Sequence, residues 1–341
     1  MTHPHASDRL EGPQRSSPSA RRTARSSPGS DAVWLLFALG SIVVLIRAYV
    51  APVLTQEAVL AWATIFVAIC VQALPFLVFG VALSAAITAF VPARTWQRLL
   101  PRNGAAAVPV AGIAGAVLPG CECASVPVAG GLMARGVAPA AALTFLLAAP
   151  AINPIVMVAT AVAFPGQPGM VAARFGASLL VAVLAGWAWL RFGKAEWIRI
   201  PAPPAHDSGK WDAYRQAARH DLMHAGGFLI VGAIAAATIN VAVPAAWVNA
   251  VAGIPWASVL VLAVLAVLMS ICSEADAFVA ASLTSFSPTA KLAFLVVGPM
   301  VDLKLIAMQT GFFGRDFALR FVPLTFVLAV AVSSAFGALF L

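Results

Sequence analysis

The chain is poor in charge: only 10% of its 341 residues are Asp, Glu, Lys or Arg, whereas 61% are hydrophobic. Its apolar runs are long enough to cross a bilayer, which takes about 20 residues per helix. An ordinary soluble domain is thereby excluded, and the expected class is an all-α polytopic membrane protein in contact with the lipid bilayer. Histidine is missing from every apolar run, since His3, His5, His206, His220 and His224 lie in the N-terminal tail, the central polar stretch or its edge. Haem ligation inside the membrane is excluded on that pattern. There is neither a Gly-rich Lys-Ser/Thr loop nor a dinucleotide fingerprint, so ATP is not the direct energy source and no cofactor is expected. Cysteine is scarce as well. Cys70, Cys121, Cys123 and Cys272 all fall in apolar segments and read as thiols, not as the staples of a disulfide-rich module.

The formal charge of +8 does not point to nucleic acid, because the basic residues cluster in the tail and in short loops, as cytoplasmic anchoring requires. Residues 1–30 are rich in Ser, Pro and Arg without apolar periodicity and are expected to form a disordered cytoplasmic tail. Arg21 and Arg22 are followed by Thr23, Ala24 and Arg25 and not by an apolar residue, so neither a twin-arginine nor a cleavable signal is expected. Residues 31–57 read as a transmembrane anchor helix.

Further spans are expected near 58–91, 105–134, 138–164, 168–192, 222–243, 254–285, 289–313 and 316–340. The polar stretch 193–221 separates two stretches, 58–192 and 222–341, that resemble each other at an offset of about 150 residues. Phe76, Leu77, Gly80, Ala85 and Ile87 register with Phe228, Leu229, Gly232, Ala237 and Ile239. Cys121, Ala124, Val128 and Ala129 register with Cys272, Ala275, Val279 and Ala280. Pro139, Phe145, Leu146 and Pro150 register with Pro288, Phe294, Leu295 and Pro299. Gene duplication into two permease repeats explains these ungapped blocks. Arg94, Arg98 and Arg102 stand in one inter-helix loop, whereas its counterpart, 245–254, carries no charge. By the positive-inside rule these loops lie on opposite faces, so the repeats are expected to be inverted, with broken or re-entrant helices meeting near the midplane.

The chemistry sits in those breaks. Pro119, Gly120, Cys121, Glu122, Cys123, Ala124, Ser125, Val126 and Pro127 set two thiols and a carboxylate between helix breakers, and ionisable groups at membrane depth normally line a cavity or a pathway. Cys-x-Cys spacing puts side chains on one face of an extended segment but not of a helix, so Pro119, Gly120 and Pro127 are expected to unwind it. Thiolates suit soft or borderline metals and thiophilic metalloids, and the spacing is too short for a structural zinc knuckle. Close packing of small residues would explain the cysteines but not Glu122. Cys272, Glu274 and Asp276 form the matching set, in which the acids carry protons, cap a half-helix, or do both. A further pair of breaks places Asn153 after Pro150 and Asp302 after Pro299, as ligands or caps, with Lys304 near enough to neutralise Asp302. Cys70 has no acidic neighbour and reads as packing. His220 and His224, one turn apart at a membrane boundary, fit either a first contact point for metal or a solvated face.

Residues 58–341 resemble the bacterial predicted-permease family that includes the organoarsenical efflux permeases, through Cys121 to Pro127, Phe145 to Pro154, Cys272 to Asp276 and Gly298 to Lys304. The resemblance implies an inner-membrane permease whose cysteines help to recognise a thiophilic substrate. This chain has Glu122 where Cys-Ser-Cys is more usual, and an added carboxylate favours a metal cation. The expected activity is therefore proton-coupled efflux of a soft or borderline metal ion or thiophilic metalloid across the bacterial cytoplasmic membrane. Cys121, Cys123 and Cys272 would hold the substrate, and the chain is not expected to be an enzyme. A membrane thiol oxidoreductase using Cys121 and Cys123 is the alternative, although Cys-x-x-Cys is absent. A non-transporting membrane subunit of a larger assembly is another.

Overall fold

The computed structural model describes residues 56–91, 101, 103–117, 121–200, 209–242 and 255–341. The expected tail, nearly all of the anchor helix, and both loops used to compare charge lie outside those residues, as do Pro119 and Gly120. The described residues fall in one compact unit, Gln56–Leu341. Among them there is no strand; the regular structure is twelve α-helices and one short 3-10 turn.

The helices of the first half are α1 (Gln56–Phe90), α2 (Gly104–Gly115), α3 (Glu122–Ala134), α4 (Pro139–Ile152), α5 (Pro154–Ala163) and α6 (Pro168–Phe192). Those of the second half are α7 (Lys210–Ala242), α8 (Pro255–Met269), α9 (Ser273–Ser282), α10 (Pro288–Val297), α11 (Leu303–Phe313) and α12 (Arg315–Phe340). Proline opens α4, α5, α6, α8 and α10, where its fixed φ suits the helix and its missing N–H costs nothing. Among the described residues, five segments are long and apolar enough to cross a membrane: Glu57–Phe90, Pro139–Ala163 (divided at Asn153), Pro168–Phe192, Lys210–Val241 and Arg315–Phe340.

Four expected spans are divided. Residues 105–134 form α2 and α3, 138–164 form α4 and α5, 254–285 form α8 and α9, and 289–313 form α10 and α11. The polar stretch is also shorter than expected, because α7 already begins at Lys210. Trp211 and Tyr214 on that extra turn pack against Phe90 at the end of α1, so aromatic packing continues the helix through polar sequence.

Helices at matching places in the two halves run antiparallel. Along α1 and α7, the Trp62 Nε1–H donates to Thr238 Oγ1 (3.1 Å) and the Ser84 hydroxyl to Asp221 Oδ2 (3.2 Å), while Phe90 meets Trp211. Residue numbers rise on one helix as they fall on the other. Along α6 and α12, Gly169 lies by Phe340, Gly176 by Phe336, and Trp189 by Phe321 and Phe317. Within the halves, α4 packs on α2 and α6, as α10 packs on α8 and α12. Between them, α3 meets α11 and α5 meets α9. The short helices form the core: α4 is buried over Ala140–Ile152 and α10 over Leu292–Val297. Val67, Val71 and Val78 on α1, Ile230 and Val231 on α7 and Leu319 and Val327 on α12 are exposed, an apolar exterior suited to lipid.

Candidate functional site

The N-termini of the half-helices α3 and α9 meet inside this core. Cys121 is the N-cap of α3, with extended backbone (φ −83°, ψ 176°), and Cys272 is the N-cap of α9 (φ −67°, ψ 146°). The Cys121 carbonyl accepts from the N–H groups of Ala124 (3.1 Å) and Ser125 (3.2 Å); the Cys272 carbonyl accepts from Ala275 (2.9 Å) and Asp276 (3.0 Å). Neither thiol caps its own helix. The sulfurs therefore remain available while the backbone turns are closed. All four cysteines are free, and Cys121, Cys123 and Cys272 are buried. Cys121 stands on the extended cap and Cys123 in the first turn of α3, and the two thiols are within electrostatic reach of each other.

One expectation about a proline requires correction. Pro127 does not end the broken segment; it lies inside α3, which runs on to Ala134. Its missing N–H instead deprives the Cys123 carbonyl of its i+4 donor. Pro150 also lies inside α4, and the break expected over Pro150 to Pro154 falls at Asn153.

Asn153 and Asp302 are caps in matching geometry. Asn153 Oδ1 accepts from the Val156 N–H (3.0 Å), and Asp302 Oδ1 from the Leu305 N–H (2.6 Å), each three residues on. Capping satisfies N–H groups that a helix start leaves orphaned, a particular need where water is absent. Ser125 has a local role, its hydroxyl donating to the Glu122 carbonyl (2.9 Å).

Lys304 pairs with Asp302, its Nζ lying 3.6 Å from Asp302 Oδ2, but a partner that the sequence did not indicate is nearer: Glu122 Oε1 at 2.7 Å. Lys304 and Glu122 belong to different halves, and both are buried. The second Glu122 oxygen accepts from the Ser273 hydroxyl at 3.3 Å. Both oxygens of the carboxylate between the two thiols are therefore engaged by the second half of the chain. Asp276 is buried with Oδ2 receiving no hydrogen bond among the described residues, whereas Glu274 is half-buried. Gly298 lets the Asp276 carboxylate approach: a Cβ there would lie 2.5 Å from Asp276 Oδ2.

A fully buried Arg174 on α6 completes the charged centre. It donates to Thr160 Oγ1 on α5 (2.7 Å) and to the Ser273 carbonyl on α9 (3.0 Å). It is also within electrostatic reach of Asp276 and Glu274. Among the described residues, no three His, Cys, Asp or Glu side chains are grouped closely enough to hold a metal ion. Cys121 and Cys123 are thus brought together, while Cys272 lies across the junction, within electrostatic reach of Cys121, Glu122 and Lys304.

Residues 58–338 match the model of a family described as "Predicted permease". The chain belongs to this family. It is 34% identical over 288 residues to the UPF0718 protein YcgR of Bacillus subtilis, covering 82% of this chain and 97% of that protein. It is 34% identical over 275 residues to a Streptococcus mutans protein named "Putative two-component membrane permease complex subunit", covering 78% of this chain and 91% of that one. No solved structure matches. The protein is a multi-pass, all-α membrane permease, and the match begins beyond the expected tail and the anchor segment.

Sequence reasoning missed Arg174, Thr160 and Ser270 of this permease. Arg174 was visible as a charge inside the apolar run 168–192, well away from Arg191 at its end, the same signal that drew attention to Glu122. Ser270 has φ +49°, in the left-handed region, and its hydroxyl accepts from the Leu303 N–H (2.9 Å). It thereby ties the approach to Cys272 to the start of α11, and no spacing rule announces such a contact. Cys70 is half-buried beside a small cluster of Ile69, Ala233 and Ala236 on the contact of α1 with α7, as packing requires. His220 and His224 have ring centroids 5.7 Å apart, and His224 also meets Phe228 and Phe312; together with Asp221 they form no metal group.

Proposed function

We propose that this permease exports a thiophilic species, a soft or borderline metal ion or a metalloid, across the bacterial cytoplasmic membrane, with Cys121, Cys123 and Cys272 as its recognising thiols. The observation that carries this reading is the pair of buried thiols two residues apart at the start of α3, set against the cysteine-capped start of α9 where the two halves join. Sulfur ligands at that place favour soft centres over alkali and alkaline-earth ions. Binding there also joins the halves, which suits alternating access around a midplane site.

The antiparallel pairing of α1 with α7 and of α6 with α12 supports inverted duplication, because a two-fold axis in the membrane plane reverses each helix relative to its counterpart. A parallel duplication would leave them codirectional. Glu274 and Asp276, whose charges are only partly offset by Arg174, are the candidates to carry the coupling protons. The test is accumulation of Zn, Cu, Cd, Ni, arsenite and methylarsenite in cells expressing the wild type or Cys121→Ser, Cys123→Ser. A cysteine-dependent fall in one species supports export, a cysteine-dependent rise means uptake, and no difference for any species rejects the thiophilic substrate.

The name of the Streptococcus mutans relative favours a second reading, in which the chain works as the membrane subunit of a two-component permease. Expression of this chain alone distinguishes the two, since a lone subunit would leave accumulation unchanged until its partner is supplied.

A further inference from the structure

The Lys304 ammonium stands where a cationic substrate would need to be. It is 1% exposed and lies 2.7 Å from Glu122 Oε1 and 3.6 Å from Asp302 Oδ2. The other Glu122 oxygen is held by Ser273, and Asp302 Oδ2 receives no hydrogen bond among the described residues. The carboxylate flanked by the two thiols, which by sequence favours a metal cation, is therefore already matched to a cation tethered in the chain. Lys304 is also within electrostatic reach of Cys123 and Cys272. The surrounding field adds to its effect: Cys121 and Cys272 stand at the positive ends of α3 and α9, and Arg174 lies beside the α9 start. Glu274 and Asp276 oppose this field from the first turn of α9.

We propose that Lys304 is a specificity-determining residue: it fills the cation position between Glu122 and Asp302, so that the thiols accept uncharged thiophilic hydroxides and refuse free divalent cations. The proposal rests on the thiol-site reading and names the substrate class within it. The chemistry balances without a change of charge. Each arsenic–sulfur bond that forms breaks one arsenic–oxygen bond, and the departing hydroxide takes the thiol proton and leaves as water. A divalent cation held by two thiols would instead have to expel two protons beside a fixed ammonium. At matching places in the first half the chain has no such cation: Asn153 stands opposite Asp302 and Ile155 opposite Lys304.

The experiment compares uptake of arsenite, methylarsenite and Cd²⁺ into energised everted membrane vesicles carrying the wild type, Cys121→Ser/Cys123→Ser, Lys304→Met or Glu122→Gln/Lys304→Met. The wild type is expected to take up a trivalent arsenic hydroxide in a cysteine-dependent way and Cd²⁺ at no more than background. Lys304→Met should raise Cd²⁺ uptake at least about fivefold, and Glu122→Gln/Lys304→Met, which has lost the carboxylate that would receive the ion, should not. If Lys304→Met does not accumulate in the membrane, Lys304→Met/Asp302→Asn leaves Glu122 as the one carboxylate at that position and carries the same expectation. Cysteine-dependent Cd²⁺ uptake by the wild type overturns the proposal while leaving the thiol site standing, as does a folded Lys304→Met variant that gains no Cd²⁺ uptake. Loss of cysteine dependence for all three probes overturns both.

Discussion

At the start of α3 the chain reads Cys121, Glu122, Cys123, Ala124, Ser125, and at the start of α9 it reads Cys272, Ser273, Glu274, Ala275, Asp276. The backbone is the same in both: an extended cysteine N-cap whose carbonyl accepts from the residues three and four places on. The side chains are complementary. Where the first half has an acid, Glu122, the second has the hydroxyl of Ser273 that donates to it; where the first has Cys123 and Ser125, the second has Glu274 and Asp276. Asn153 and Asp302 repeat the lesson, with one cap geometry but a neutral amide in one half and a carboxylate beside Lys304 in the other. The local backbone is alike at the two starts and the chemistry is divided, thiols mainly to one side and charge mainly to the other.

The largest expected disturbance of that division comes from Lys304→Met, which leaves Glu122 and Asp302 buried without a counter-charge. Breaking a buried pair costs about 3–5 kcal/mol, and thermal unfolding in detergent should show the loss, with Glu122→Gln/Lys304→Met recovering most of it. Full stability in the single variant would mean that the pair is not closed in the membrane. Arg174→Met removes two charged hydrogen bonds that link α6 to α5 and to α9. Its cost should be about 1.5–3 kcal/mol per bond at most, read in the same assay. Arg174→Lys should recover little, because an ammonium lacks the planar fork that serves Thr160 and the Ser273 carbonyl together.

The matched glycines sharpen the comparison. A Cβ at Gly80 would collide with the Ala124 backbone in α3, and one at Gly232 would come within 2.7 Å of Lys304 Cα in α11. Gly80→Ala and Gly232→Ala should each destabilise by about 1–3 kcal/mol through overpacking, with Gly232→Ala also lowering transport because it displaces Lys304. Equal stability and equal transport in both variants would count against a special position for Lys304. The smallest effect is expected from Asn153→Ala, about 1 kcal/mol for a lost cap, with Asn153→Asp retaining the cap and testing whether the first half tolerates the charge that the second half carries.

Much of this frame was legible in sequence. The cysteine motifs, Asn153, Asp302 and Lys304 announced themselves as breakers or charges within apolar runs, and the helical class followed from hydropathy. Partner choice was not legible. Lys304 lies two residues from Asp302 and 182 positions from Glu122, yet it sits nearer to Glu122, and sequence distance says nothing of which half-helices meet. Division of the long apolar runs was legible at Pro119 to Glu122 and at Ser270 to Asp276, where breakers and polar residues interrupt them, but which residue caps each half-helix was not. Pro127 misled for a physical reason: buried helices tolerate proline where neighbouring groups pack around the freed carbonyl.

The central claim is that thiols from both halves serve one substrate. It is tested most directly by measuring cellular accumulation of the transported species with Cys272→Ser, Cys121→Ser/Cys123→Ser and the triple variant, at matched membrane levels. The account predicts that each of the first two restores accumulation to that of cells lacking the permease and that the triple variant adds nothing further. Wild-type export by Cys272→Ser would contradict it and confine recognition to the first half.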